Sequence, residues 1–473
     1  MLTEIHDNSL DAFHRLRHLP HVVFLDSARS HPNHGHYSFL GADPRLVIQS
    51  QGNQTTIITA GLGHVVAEGN PWEVLDAMLS RFHLDGTIVE PRLPLRLPLG
   101  AAIGFLSYDT SWWLEKMPLP HSFLLPTPDL WFGFYDVLLA FDHLEKRGWL
   151  ISSGLDESGI VSTAQALFRQ DQFLDELQSE TVLFPSKTFS TENIQQVYSQ
   201  SDHKQIIRTA LDYIRRGDIY QVNLSHPFIG TVSESPQNLY LRLRENNPAP
   251  FSAYLDFGRG QILSSSPERF LKMDQKNIQT RPIKGTCLRT GNPLEDWRRA
   301  EALLRSVKDQ AELLMITDLL RNDLGKVAEY GSVSVPELFR CEEYETVYHL
   351  VSTVEAQLRP YVSHLDTIAA CFPGGSITGT PKLRAMEIIH ELEPWRRGIY
   401  TGTLGYLGFN GISDFNILIR TLAHVQGQVC FHVGSGIVAD SDPTLEYEET
   451  LHKARGLLNL WSHPHHQKAI IPA

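Results

Sequence analysis

Strand-like runs in this chain follow one another without a helix between each pair, and that pattern narrows the fold more than any other feature. "FSAYLDFGRGQILSSSPERFLKM" reads as two strands about a glycine turn and "NIQTRPIKGT" as a third; "GTLGYLGF", "FNILIRTLAHV" and "QVCFHVGSG" read as three more. Helical patterns are interposed rather than alternating. "DHKQIIRTALDYIRRG" is amphipathic and stops at Gly217. "EDWRRAEALLRSVKDQAELLMITDLLRNDLG" reads as one long helix closed by Gly325. "TPKLRAMEIIHELEP" reads as a helix capped by Thr380, with Pro381 in its first turn and Pro394 at its end. "DPTLEYEETLHKARGLLNLW" is a last helix, capped by Asp442 with Pro443 behind it. The pattern predicts an α+β fold with large antiparallel sheets, not a doubly wound parallel one.

Shorter strand signals ("HVVFL", "RLVIQS", "TTIITA") precede this block, separated by turn residues. The expected organisation is an N-terminal region over 8–150, a polar connector over 151–195 containing a helix, and a catalytic region over 196–460. The formal charge of −13 and pI near 5.9 argue against a nucleic-acid partner, whose phosphates would be repelled. They leave room for an anionic small molecule in a locally basic pocket. Four scattered cysteines without a CxxC fit reduced thiols in a cytoplasm. No signal-peptide pattern opens the chain, and no apolar run approaches the roughly 18 residues of a membrane span. Histidines gather in two places (His31, His34, His36; His463, His465, His466), but without the fixed spacing of a zinc site.

Several residues carry chemical weight on their own. Lys284, in "RPIKGT", is either a solvated charge or a buried amine. Glu446, Glu449 and Lys453 share one helical face at i, i+3 and i+7. Acidic residues also favour a helix start, so the competing readings are a hard-cation site and a simple helix cap. Glu312, beside Met315 and Ile316, is a further carboxylate at the edge of an apolar stripe. "FPGGSITGTPK" and "VGSGIVAD" read as glycine-rich turns able to aim N–H groups at an anion. Arg420 interrupts an apolar strand and needs an anionic partner, either a ligand carboxylate or a protein one. His349 reads as a core histidine, and Glu268, after a Ser-Pro turn, as a surface acid. These residues support an enzyme or a binding protein for an anionic metabolite, with carboxylates suited to Mg²⁺.

In order along the chain, "SSSPERFL", "RPIKGT", "AELLMITDLLRNDLG", "SVSVPELFRCEEYETVYHLVSTV", "CFPGGSITGTPKLRAMEIIHELEP", "GYLGF", "IRTL" and "GSGIVADSDPTLEYEETLHKA" resemble the chorismate-utilising enzymes. That family includes anthranilate, aminodeoxychorismate, isochorismate and salicylate synthases. The resemblance runs from about Tyr198 to Leu458, and "FLDSARS" with "YSFLGADP" resembles the first domain of anthranilate synthase large subunits. It implies an anthranilate synthase component I-like fold, with a two-sheet sandwich core flanked by helices. Within the family, "PIKGT" with its lysine resembles the lysine-type aminodeoxychorismate synthases; anthranilate synthases carry a small residue there.

The resemblance also implies a site. Glu312 and Glu449, with Glu446 close by, match Mg²⁺ carboxylates. Arg420 and Tyr400 match positions that hold the enolpyruvyl carboxylate of chorismate. Gly434, Ser435 and Gly436, through their backbone, and Lys453 match carboxylate anchors. Ser376 and His349 match positions beside the ring. Glu268 matches a proton donor and Lys284 a covalent nucleophile. Ammonia is expected from a separate glutamine amidotransferase subunit. Ser27, His36, Tyr37, Pro250, Phe251 and Ser252 match a pocket that holds L-tryptophan in relatives.

Overall fold

The computed structural model describes residues 1–28, 35–84, 97–118, 121–179, 193–344 and 347–461. His31, His34, His463, His465 and His466 lie outside them, as do residues 180–192 of the expected connector, whose helix is Thr163–Gln178. Among the described residues, two twelve-stranded sheets form the centre. One runs Leu2–Ile5, Arg147–Ser152, Val137–Asp142, Tyr37–Gly41, Val23–Asp26, Phe251–Asp256, Gln261–Ser266, Thr421–Val425, Gln428–Ile437, Gln221–Thr231 and Gln195–Gln196. The other runs Ile283–Leu288, Val347–Gln357, Asn277–Thr280, Arg269–Asp274, Ile412–Ile417, Thr403–Gly408, Ala101–Leu106, Leu130–Tyr135, Leu46–Gln51, Gln54–Thr59 and Gly63–Glu68. The two-residue strand Gly379–Thr380 and the longer Ser334–Glu343 pair beside these paths. Every paired strand is antiparallel. Strands from the first 150 residues are interleaved with later ones in both sheets, as in Val23–Asp26 against Phe251–Asp256 and Ala101–Leu106 against Thr403–Gly408.

The sheets pack face to face as a sandwich. Along Ala101–Leu106, Ala101, Ile103 and Phe105 enter the core between the sheets, while Ala102 and Leu106 enter a second core under helices. Both faces are thus covered, which explains why this strand is apolar at every position. A helix layer lies outside each sheet: Trp72, Ile316 and Ile368 pack on one, and Phe13, Phe173, Leu239 and Leu457 on the other. No helix among the described residues is long and apolar enough to cross a membrane.

Three local expectations change. The single long helix is two, Pro293–Leu304 and Val307–Gly325, because Ser306 caps the second by accepting from Asp309 N–H. The helix after "TGTP" is Lys382–Leu392, so Thr380 belongs to a short strand and does not cap it. "FNILIRTLAHV" is not one strand: it breaks after Ile417, and Arg420 adopts φ 51° before the next strand begins at Thr421.

Candidate active site

The chain crosses from one sheet to the other at 267–268 and again at 418–420. The crossings are tied together: Ile417 N–H donates to Glu268 O at 3.0 Å, Ser265 N–H to Arg420 O at 3.1 Å, and Ser266 Oγ to Ile417 O at 2.6 Å. Beside them opens a cavity of about 550 Å³, closed by the helices Val307–Gly325 and Pro443–Leu458. Glu268, Lys284, Glu312, His349, Ser376, Tyr400, Arg420, Gly434, Gly436, Glu446, Glu449 and Lys453 all line it.

Glu268 is not a surface acid. Its position in the crossing leaves it 6% exposed. Burial drives its pKa up to about 7, against the pull of the Ser376 hydroxyl, the Lys284 charge and the Ile283 N–H. A carboxyl in that range holds a proton near neutral pH and can give it up.

Lys284 sits on the edge strand Ile283–Leu288, where the pairing register slips between Ile283 and Thr286. Its Nζ is 2.8 Å from Glu312 Oε2. Two residues on, Thr286 Oγ1 is 2.8 Å from His349 Nδ1, on the neighbouring strand and buried. His349 is therefore both a packed histidine and a cavity wall.

Arg420 reaches the cavity with a guanidinium that remains accessible from it, and among the described residues no carboxylate lies within ion-pair distance. Among the described residues none supplies the anion this cation calls for. Tyr400 stands nearby, its ring stacked on His432 at 5.2 Å and its hydroxyl pushed up to about 12, by burial first. Burial also drives His432 down to about 4.

Gly434–Gly436 is not a turn. It lies inside the strand Gln428–Ile437. Strand alternation turns Gly434 and Gly436 to the cavity and the Ser435 side chain away from it, into a fully buried position. The glycines hold space: a Cβ at 434 would come within 2.5 Å of Tyr400 Oη, and one at 436 within 3.2 Å of Lys284 Nζ. Lys453 Nζ donates to Gly434 O at 2.8 Å and pairs with Glu449 at 2.7 Å. Burial pushes the Glu449 carboxyl up, yet Lys453, Lys284 and Lys308 hold it below the usual range. Glu446 accepts from Ser441 Oγ at 2.6 Å. Among the described residues no three side chains gather into a ready-made metal cage. Glu312 and Glu449 still face one cavity from two helices and offer only oxygen, a donor set that suits Mg²⁺, which commonly takes one or two carboxylates and completes its octahedron with substrate and water.

Polar residues along one buried strand escaped sequence reasoning. Gln221, Asn223 and Ser225 share one face of the buried strand Gln221–Thr231, and Asn223 lies opposite Gly436. Among the described residues, Gln221 Oε1 is buried without a hydrogen-bond partner, and the Asn223 side chain bonds to the Tyr400 hydroxyl. Alternating polar residues in "YQVNLS", a strand otherwise apolar, were the available signal.

A second cavity, of about 490 Å³, lies between the sheets and is lined by Ser27, His36, Tyr37, Pro250, Phe251 and Ser252 together. His36 Nε2 is 2.9 Å from Asp142 Oδ1, and the His36 and Tyr37 rings stack at 4.3 Å. Arg269 and Asp414 add an ion pair at 2.9 Å to its wall.

A family model described as chorismate binding enzyme matches residues 21–459. Aminodeoxychorismate synthase component 1 of Escherichia coli (strain K12) is 40% identical over 447 residues, covering 94% of each chain. Anthranilate synthase component 1 of Thermus thermophilus is 39% identical over 394 residues, covering 80% of this chain and 84% of that one. The crystal structure of anthranilate synthase component I from Streptococcus pneumoniae TIGR4 superimposes with a TM-score of 0.79 at 31% identity, over 90% of this chain and 92% of that one. With matching motifs and a matching fold, the chain belongs to the chorismate-binding enzymes.

Proposed function

We propose that the protein is the synthase component of aminodeoxychorismate synthase, converting chorismate and ammonia to 4-amino-4-deoxychorismate and water on the route to p-aminobenzoate and folate. The observation that carries this reading is Lys284, a primary amine on the wall of a cavity that also holds a buried, protonatable Glu268 and Arg420, which no carboxylate among the described residues pairs. Arg420, Tyr400 and the N–H groups of Gly434–Gly436 hold the carboxylates of chorismate. Glu268 gives its proton to the departing C4 hydroxyl, which leaves as water. Lys284 Nζ forms a bond to C2 in the same step. Ammonia then adds at C4, the C2–N bond breaks with its electron pair returning to Lys284, and the excess proton on the new amine restores Glu268. Ser376 and His349 stand beside the ring. Glu312 and Glu449, with Glu446 behind them, would hold Mg²⁺, which when bound supplies a counter-charge for the ring carboxylate.

The ammonia source is a glutamine amidotransferase subunit, and the place of work is the cytoplasm. The second cavity takes L-tryptophan: its paired charges suit an amino acid's two termini, and its aromatic wall suits an indole. Protection of the chain against heat by tryptophan, absent in Ser252→Trp, tests this.

Intact mass measurement after exposure to chorismate without ammonia tests the main reading. A chorismate-dependent adduct that disappears in Lys284→Ala is expected; an adduct surviving in that variant places the nucleophile elsewhere. The relatives also favour a second reading, anthranilate synthase component I. Direct release of anthranilate from chorismate and ammonium would establish it in place of the first.

A further inference from the structure

Arg397 lies behind the cavity wall rather than in it, 3% exposed. All five of its N–H donors are used. Nε and Nη2 grip the two Glu393 oxygens at 2.8 Å each, and Nη2 also donates to Asn223 O at 2.6 Å. Nη1 donates to Ile377 O at 3.1 Å and to Thr401 Oγ1 at 3.3 Å. The guanidinium lies between two rings, 4.8 Å from the centre of Tyr108 and 5.6 Å from that of Tyr400.

These contacts converge on the site. Asn223 and Tyr400 are cavity residues, and Ile377 follows Ser376, whose hydroxyl bonds to Glu268. Glu393 extends the set, since Oε1 also accepts from Ser225 N–H at 2.7 Å, in the strand that carries Asn223. One guanidinium therefore ties together the strand bearing Asn223, the turn bearing Ser376, and Tyr400. A fully buried ion pair gains little stability over apolar packing, so its presence points to a need for fixed geometry.

We propose that Arg397, clamped by Glu393, is a positioning residue that acts on substrate binding through Tyr400. The inference rests on the reading that Tyr400 and Arg420 receive a carboxylate of chorismate. A lysine cannot reproduce the planar fork, because its three donors radiate from one atom.

The test is a double-mutant cycle on chorismate consumption at saturating ammonium chloride. Arg397→Lys and Tyr400→Phe are each expected to raise KM for chorismate about tenfold, the weight of one hydrogen bond to a charged group, with a smaller change in kcat. The double variant is expected to match the larger single effect, because both changes remove one interaction. Single effects that multiply in the double variant overturn the proposal. If Arg397→Lys yields no folded protein, Glu393→Gln replaces it; this variant keeps the side-chain shape but releases the clamp, and the same non-additivity with Tyr400→Phe is required. Arg420→Ala separates the two layers of the argument. An unchanged KM in Arg420→Ala overturns the assignment of the cavity, and this inference with it. A raised KM there, together with multiplying effects in the cycle, overturns the positioning role alone.

Discussion

Lys284 Nζ and Glu312 Oε2 are 2.8 Å apart, so the amine proposed to attack the substrate begins its cycle in contact with a carboxylate from the helix Val307–Gly325. The same carboxylate faces the cavity from one helix, and Glu449 faces it from another. Glu312→Gln keeps the shape and removes the charge. Its apparent Mg²⁺ affinity, measured by titrating activity, is expected to fall at least ~100-fold, the upper end of what losing an outer-shell partner costs. An unchanged titration removes Glu312 from the metal set.

Glu268 sets a pH dependence. Its pKa of about 7 means the acid is loaded below that pH and empty above it. Turnover is expected to fall as pH rises through about 7. Glu268→Gln should lose roughly 10²–10⁴-fold in kcat, and the limb with it. The same group bears on stability. An unfolded glutamate titrates near ~4.3, so the folded state holds the extra proton between there and about 7. Its contribution is complete below ~4.3 and lost as pH rises through 7. Melting temperatures of wild type and Glu268→Gln should diverge across that window; parallel curves would count against a buried acid.

Three buried histidines act in the opposite direction. Burial foremost drives His203 to about 4, His226 to about 3 and His432 to about 4. The unfolded chain takes up these protons near ~6.5. Their stabilising effect is therefore full above that value and lost as pH falls towards 4, at up to ~1.4 kcal/mol per pH unit for each group. His203, whose ring nitrogens lack partners among the described residues, is the one to replace. His203→Leu should show a smaller drop in melting temperature between pH 7 and pH 5 than wild type. An equal drop refutes the assignment.

Gly434→Ala tests the space at the cavity wall. A methyl there would meet Tyr400 Oη at 2.5 Å and Leu224 O at 2.7 Å, and the second is backbone that cannot swing away. Overpacking of this kind costs ~1–3 kcal/mol. Because Tyr400 is the softer neighbour, KM for chorismate should rise more than kcat falls. Wild-type kinetics would mean that the strand shifts without disturbing Tyr400.

The sheets were legible because their strands carry apolar residues bounded by turn signals, and the antiparallel arrangement followed from the absence of helices between successive strands. Helix boundaries were less so. Ser306 capping a second helix looks, in sequence, like one polar residue within a continuous pattern. Glu268 and Arg420 were recognised by motif, but not their surroundings. A Ser-Pro-Glu turn is usually exposed; here it is buried because two crossings meet, and that meeting involves residues about 150 positions apart. Arg397 was invisible for the same reason. Each of its partners is unremarkable alone, and only the fold brings Tyr108, Asn223, Ile377 and Thr401 around one guanidinium.

The two crossings hold Glu268 and Arg420 on a single hydrogen-bonded unit, whereas Lys284 stands on an outer strand paired on one side only. The proposed acid and anion receptor are thus built into the frame, and the proposed nucleophile is a fitting on its margin. Such a division would let the product change without rebuilding how the substrate is held. New products become reachable by exchanging a side chain on one border strand, while changes at the junction are paid for by the whole molecule.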